Sequence, residues 1–87
     1  MKDVLLEELS SPGCHNCAGF KSMWEEIKVN WPNITFKETS IVDPEGQELV
    51  QKYQIFASPG IIINGELFAT GGINREEFIR KLTELSQ

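Results

Sequence analysis

Two cysteines, three positions apart, constrain this chain more than any other feature of its sequence. Cys14 and Cys17 are the only cysteines among 87 residues, whereas small secreted domains usually carry several cysteines that link distant segments. A disulfide between them would close a very small loop, and the stabilisation that a disulfide gives grows with loop length. We therefore expect the chain to fold around an ordinary hydrophobic core and the cysteines to serve chemistry.

The composition is that of one globular unit with an acidic surface. A chain of 87 residues, 40% of them hydrophobic, suffices for one hydrophobic core, so we expect a single domain over residues 1–87. Thirteen acidic against eight basic residues give a net charge of -5, and the basic residues are scattered, which argues against nucleic acid as a partner. The first apolar run is interrupted by Glu7 and Glu8 and is too short for a signal peptide or a membrane span. We expect a cytoplasmic monomer with no membrane partner.

The first half of the chain predicts a strand, a helix and a second strand. Residues 4–9 are apolar and the turn formers at residues 10–13 follow them, which predicts a strand and its end. Apolar residues recur at helical spacing over residues 17–31. Pro32 ends that helix, because the residue before a proline is pushed out of helical geometry. Residues 34–42 alternate with polar interruptions, which indicates a strand near the edge of a sheet.

The second half predicts a helix, a hairpin and a last helix. Asp43-Pro44 opens a short helix, because aspartate can accept free backbone donors and proline fits the first helical position. Asn64-Gly65 is the strongest short hairpin signal in the chain. The strands of that hairpin are predicted at residues 61–63 and 66–69. Asn74 then provides a start like a capping box for the last helix.

The predicted order of elements is βαβαββα. The first crossover joins two parallel strands and should be right-handed, and the terminal hairpin completes a mixed four-stranded sheet. Helices must cover the apolar faces of that sheet. We therefore expect an α/β fold, a three-layer sandwich of minimal size.

The Cys14-His15-Asn16-Cys17 segment has the features of a redox-active dithiol. Disulfide exchange needs an exposed thiol of lowered pKa and a second thiol close enough to attack the mixed disulfide. Cys14 would face unpaired N–H groups and the positive end of the helix dipole, which favour the thiolate, so we predict that it is the nucleophile. Cys17, one turn inside the helix, is the predicted resolving cysteine. His15, if protonated, and Asn16, through its amide, would tune the thiolate.

Metal binding is the main alternative for the two cysteines. Paired thiolates also hold Cu(I) and similar soft ions, so a soft-metal carrier remains open. No second cysteine pair completes a zinc tetrahedron, and Ala18 stands where a c-type haem motif requires histidine. Metallochaperones with a Gly-Cys-x-x-Cys motif have the order βαββαβ and end on a strand, whereas this chain is predicted to end on a helix. A non-catalytic interaction module is a third alternative.

Three segments resemble the thioredoxin and glutaredoxin superfamily. They are Pro12-Gly13-Cys14-His15-Asn16-Cys17 after a strand, Ala57-Ser58-Pro59 before another, and Ile63-Asn64-Gly65-Glu66. The resemblance covers nearly the whole chain and implies a thiol-disulfide oxidoreductase with no cofactor besides its redox-active disulfide. It also implies that Pro59 is a cis-proline facing the dithiol and that the backbone of Ser58 pairs with an extended stretch of substrate. Glu8, six residues before Cys14, stands where thioredoxins carry a buried acid that assists proton transfer to the resolving cysteine.

The residues between the cysteines depart from both subfamilies. Thioredoxin has Gly-Pro and glutaredoxin usually Pro-Tyr there, so the resemblance implies neither a redox potential nor a reductant. Gly71-Gly72-Ile73-Asn74 resembles the double-glycine turn that helps to hold glutathione in glutaredoxins, which makes Gly72 a candidate substrate contact. A glycine turn and a helix cap explain these residues equally well. The expected partners are a disulfide-containing protein or a small thiol, with glutathione one candidate, and a reductase or thiol reductant.

Overall fold

The computed structural model describes residues 1–87, and its elements follow the predicted order βαβαββα. The strands are β1 (Val4–Ser10), β2 (Ile34–Ser40), β3 (Gly60–Ile63) and β4 (Glu66–Thr70). The helices are α1 (His15–Ile27), which a 3-10 turn at Lys28–Asn30 extends, α2 (Pro44–Tyr53) and α3 (Arg75–Ser86). No helix has both the length and the apolar character needed to cross a bilayer.

The four strands form one mixed sheet in the order β2-β1-β3-β4. The β1 strand pairs in parallel with β2, starting at Val4 opposite Ile34, and antiparallel with β3. The β3–β4 hairpin turns at Asn64 and Gly65, whose φ angles of 51° and 79° fit the two left-handed positions of a type I′ turn. The mixed sheet, the edge position of β2 and the hairpin are therefore confirmed.

Helices cover both faces of the sheet, which confirms the three-layer sandwich. On one face, α1 and α3 pack against β1 and β3 around one buried cluster. Its members are Val4, Leu6, Phe20, Trp24, Ile27, Ile61, Ile63, Phe78 and Leu82. On the other face, α2 covers a smaller cluster of Leu9, Ile55 and Ile62. Because side chains alternate along a strand, Glu8 of β1 shares the face of Val4 and Leu6, under α1 and α3.

The two predicted helix caps differ in outcome. Asn74 caps α3, since its Oδ1 accepts a hydrogen bond from the Glu77 N–H at 2.9 Å. Asp43 occupies the N-cap position of α2, but its side chain makes no capping hydrogen bond, so the predicted role of Asp43 as an acceptor is wrong. Pro44 brings no N–H to the first turn of α2, and Asp43 is exposed, so water can satisfy the donors that remain.

Gly46 of α2 is buried against the end of β2, and we expect Gly46→Ala to destabilise the fold. A Cβ at this position would overlap the backbone carbonyl oxygen of Ser40, which cannot move without shifting the strand. Forced overpacking of this kind typically costs about 1–3 kcal/mol, and we expect the upper end because the obstacle is backbone. Chemical denaturation of the oxidised protein measures the change in the free energy of unfolding.

Gly19→Ala is the matched control for this substitution. Gly19 also lies inside a helix, but an added Cβ there would meet nothing within 4 Å. The substitution should stabilise the protein by about 0.5–1 kcal/mol, the preference of a helix for alanine over glycine. Equal effects of Gly46→Ala and Gly19→Ala would contradict the close approach of α2 to β2.

Candidate active site

A tight turn leads from β1 into α1 and places Cys14 at the start of the helix. The Cys14 N–H donates to the carbonyl oxygen of Ser11 at 3.3 Å. Pro12 and Gly13 lie at the centre of this turn, and Gly13 has a φ of 73°. Proline followed by a glycine of positive φ is the pattern of a type II turn. The local sequence therefore fixes the point at which the strand ends and the cysteine pair begins.

Cys14 and Cys17 form a disulfide across the first turn of α1. Cys14 is the N-cap residue, and its Sγ accepts a hydrogen bond from the Cys17 N–H at 3.0 Å. Cys14 is half-buried, whereas Cys17 lies on the buried face of α1 and is only 5% exposed. A sulfur in the capping position receives the N–H groups and the dipole that favour a negative charge. Cys14 is thus the accessible sulfur and Cys17 the shielded one.

The loop between α2 and β3 approaches the disulfide from a distant part of the chain. The Ser58–Pro59 peptide bond is cis, as the resemblance implies, and Pro59 is buried. The Ser58 hydroxyl donates to Cys14 Sγ at 3.5 Å, and Ser11 Oγ lies 2.8 Å from Ser58 Oγ. The turn, the loop and the disulfide therefore form one connected site.

Glu8 of β1 is buried on the face of the sheet that α1 covers. Its side chain is fully enclosed, with 1% of the residue exposed, and neither carboxylate oxygen has a hydrogen-bond partner. The pKa of Glu8 is raised to about 7, chiefly because burial disfavours the charged form and secondly because Glu38 is nearby, while Lys21 partly opposes the rise. The burial that the resemblance implies for Glu8 is therefore present.

Lys21 and Glu38 are site residues that the sequence analysis did not single out. They form an ion pair of 3.0 Å between Nζ and Oε1 and line a cavity of about 430 Å³ that both cysteines also line. A sequence signal could have found Lys21, because it follows Cys17 by four residues on a helix, which puts both on one face. No such signal pointed to Glu38, which lies opposite Glu8 only through the parallel register of β1 and β2.

The remaining predicted residues lie at the rim of the site. His15 and Asn16 are exposed, and the hydrogen bonds to Cys14 Sγ come from Ser58 and a backbone N–H instead. His15, Asn16 and Gly72 line a second shallow cavity. An added Cβ at Gly72 would meet nothing within 4 Å, so no contact inside this chain requires glycine there. The tuning roles of His15 and Asn16 and the ligand contact of Gly72 stay predictions.

No group of three or more His, Cys, Asp or Glu side chains is arranged to hold a metal ion. The soft-metal alternative therefore rests on the sulfur atoms of Cys14 and Cys17, which would have to be reduced before they could bind an ion.

A helix-capping cysteine, bonded to a shielded cysteine and faced by a cis-proline loop on a mixed four-stranded sheet, defines a thioredoxin-like protein. The family model for the thioredoxin domain matches residues 5–84. The chain belongs to the thioredoxin domain family.

Individual relatives are similar over most of this chain. A thioredoxin of Methanocaldococcus jannaschii is 29% identical over 82 residues, which cover 94% of this chain and 95% of the relative. Oxidised thioredoxin O2 of Arabidopsis thaliana superposes with a TM-score of 0.77 at 15% identity, covering 99% of this chain and 77% of that one. The NTD_N/C domain of the alkylhydroperoxide reductase AhpF of Enterococcus faecalis gives a TM-score of 0.77 at 23% identity, covering 94% of this chain and 39% of that one. At these identities the two structures establish the fold.

Proposed function

We propose that this protein is a thiol-disulfide oxidoreductase that reduces or exchanges disulfides through Cys14 and Cys17. Membership of the thioredoxin domain family supports this function. The observation that carries it is the unequal placement of the two sulfurs, one half-buried at a helix cap and the other 5% exposed behind it. Disulfide exchange needs this asymmetry. The first sulfur must be accessible to attack a substrate disulfide, and the second must stay shielded until it attacks the mixed disulfide.

The proposed reaction begins with the reduced protein and ends with the disulfide. The Cys14 thiolate attacks one sulfur of a substrate disulfide, that disulfide breaks, and the leaving thiolate takes up a proton. Cys17, as a thiolate, then attacks Cys14 Sγ in the mixed disulfide and releases the second substrate thiol. Two electrons pass from the dithiol to the substrate, and an external thiol or reductase returns them. The reverse sequence oxidises a substrate dithiol with the same two residues.

Glu8 is the proposed proton acceptor for Cys17. The Cys17 thiol must lose its proton before it can attack, and bulk water has little access to a sulfur that is 5% exposed. A buried carboxylate whose pKa lies at about 7 can accept and return a proton near neutral pH. Its position on the face of β1 under α1 supports this role.

Ser58, Pro59 and Gly72 are the proposed substrate contacts. The backbone of Ser58 would pair with an extended stretch of a protein substrate beside Cys14. Gly72, which has no side chain, would let a small thiol ligand lie against the backbone, and glutathione is one candidate. We further propose that the protein is a cytoplasmic monomer. It would carry electrons between thiols and so contribute to redox homeostasis. The site needs no cofactor for this chemistry beyond its own disulfide.

Turnover of two disulfide substrates tests the proposed function. We expect the protein to accelerate the reduction of insulin by dithiothreitol, and of hydroxyethyl disulfide by glutathione if Gly72 contributes a glutathione contact. The same protein, reduced and alkylated with iodoacetamide, is the control and should give the rate of the thiol alone. Equal rates with native and alkylated protein for both substrates would contradict the proposal.

A further inference from the structure

Two serine hydroxyls from distant parts of the chain form a series of hydrogen bonds that leads to the sulfur of Cys14. Ser58 Oγ donates to Cys14 Sγ at 3.5 Å, and Ser11 Oγ lies 2.8 Å from Ser58 Oγ. A hydroxyl has one proton to donate, and Ser58 directs that proton to the sulfur. Ser11 must therefore be the donor in the Ser11–Ser58 hydrogen bond. The resulting chain of donors runs in one direction, from Ser11 through Ser58 to Cys14.

We propose that this serine relay, Ser11 to Ser58 to Cys14 Sγ, stabilises the Cys14 thiolate and raises the reduction potential of the Cys14–Cys17 pair. Ser58 touches the reacting sulfur, and Ser11 is a positioning residue that acts through Ser58. The inference deepens the proposed function, because it adds two hydroxyls that set the reactivity of its nucleophile.

The effect of the relay differs between the two redox states. In the disulfide the acceptor is a neutral sulfur, which accepts hydrogen bonds weakly. In the reduced protein the same position holds a thiolate, and hydrogen bonds to an ionised group are roughly twice as strong as neutral ones. The relay therefore favours the reduced thiolate state over both the disulfide and the protonated thiol. A hydroxyl that accepts a hydrogen bond is also a better donor, which is how Ser11 adds to the effect.

Other features hold the relay in place without depending on it. Ser11 sits in the type II turn that a backbone hydrogen bond to Cys14 closes, and Ser58 is followed by the buried Pro59. Removing either hydroxyl leaves those backbone contacts intact. The relay can therefore be tested without disrupting the architecture of the site.

The charged groups around Cys14 stay the same in every serine variant. On α1 they are His15 and Lys21, on β2 Glu38, and on β1 the buried Glu8. Residues 54–59 of the cis-proline loop and residues 71–74 of the loop before α3 contain no charged side chain. A change in the pKa of Cys14 on removing a serine hydroxyl would therefore report the hydrogen bond itself.

The experiment measures the pKa of Cys14 in the reduced protein from the pH dependence of its alkylation by iodoacetamide, with mass spectrometry assigning the modified cysteine. We expect Ser58→Ala to raise that pKa by about one unit, a tenfold change in the thiolate equilibrium. Ser11→Ala should shift it in the same direction by a smaller amount, because one hydrogen bond in a chain strengthens the next by only about 10–30%. Ser58→Thr retains the hydroxyl and should restore the native value, and Ser22→Ala, on the exposed face of α1, should leave it unchanged.

The reduction potential gives an independent reading of the same proposal. A tenfold loss of the reduced state lowers the potential of a two-electron couple by about 30 mV, so Ser58→Ala should become the stronger reductant. An unchanged pKa and potential in Ser58→Ala would overturn the relay, and a shift in Ser58→Ala without one in Ser11→Ala would overturn the role of Ser11. Because alkylation does not require turnover, these results stand apart from the test of the proposed function, which fails only if native protein does not accelerate disulfide reduction.

Discussion

Replacing Cys14 by serine is expected to reduce turnover of protein disulfides to the rate of the thiol reductant alone. Serine keeps the helix cap, because its hydroxyl can also accept the Cys17 N–H, but it cannot form the mixed disulfide. Cys17 cannot take over the attack, since it is 5% exposed. The insulin reduction assay measures the loss, and the melting temperature of the variant, compared with that of the reduced native protein, shows that the fold is retained.

Cys17→Ser is the counterpart, and its expected result is accumulation of a mixed disulfide rather than simple inactivity. Cys14 can still attack the substrate, but nothing resolves the product. Non-reducing electrophoresis and mass spectrometry should reveal one substrate molecule bound through Cys14, released by dithiothreitol. A mixed disulfide in Cys14→Ser instead would assign the nucleophile to Cys17 and contradict the proposed roles. Absence of both turnover in native protein and a mixed disulfide in Cys17→Ser would favour a non-catalytic module, whose function Cys14→Ser would leave unchanged.

Glu8→Gln is expected to stabilise the oxidised protein at alkaline pH and to leave its stability at pH 4 almost unchanged. The folded state raises the pKa of Glu8 from 4.5 to about 7. Between these two values the folded protein retains a proton that the unfolded chain has released, so stability falls as the pH rises through this window and is then constant. At about 1.4 kcal/mol per pKa unit, the fall is on the order of 3 kcal/mol. Glutamine resembles the protonated carboxyl and removes this cost.

Urea denaturation of the oxidised protein between pH 4 and pH 9 measures this effect without thiol titration. Glu7→Gln is the matched control, because Glu7 is the neighbouring residue of β1 on the opposite, partly exposed face, and surface substitutions usually change stability by less than about 0.5 kcal/mol. Parallel stability profiles for native protein and Glu8→Gln would mean that Glu8 ionises normally. If Glu8 also serves Cys17, Glu8→Gln should slow turnover at neutral pH, and Glu7→Gln should not.

Features encoded by neighbouring residues were predictable from the sequence. The type II turn needs only Pro12 and Gly13, the hairpin needs only Asn64-Gly65, and the cap of α3 needs only Asn74. The order of these local features then restricts the topology, because a right-handed crossover and a terminal hairpin leave few arrangements of four strands. The asymmetry of the two cysteines follows from their positions on the first turn of α1.

Contacts across the sheet or between loops were not predictable in the same way. Ser11 and Ser58 are 47 residues apart, and nothing in either segment indicates that their hydroxyls meet. Glu38 raises the pKa of Glu8 because the register of β1 and β2 places the two residues opposite each other. Phe56 is 91% exposed, although phenylalanine is one of the residue types most often buried. Tertiary geometry, which local propensity does not encode, decides each of these.

The reduction potential of the Cys14–Cys17 pair tests the central claim most directly. Metal-free protein is equilibrated in graded mixtures of reduced and oxidised dithiothreitol or glutathione, and its free thiols are counted by alkylation and mass spectrometry. We expect a reversible transition in which both thiols disappear together, with its midpoint identifying the protein as a reductant or an oxidant. Failure to form the intramolecular disulfide, together with tight binding of a soft metal ion to the reduced protein, would contradict this account and favour a metal carrier.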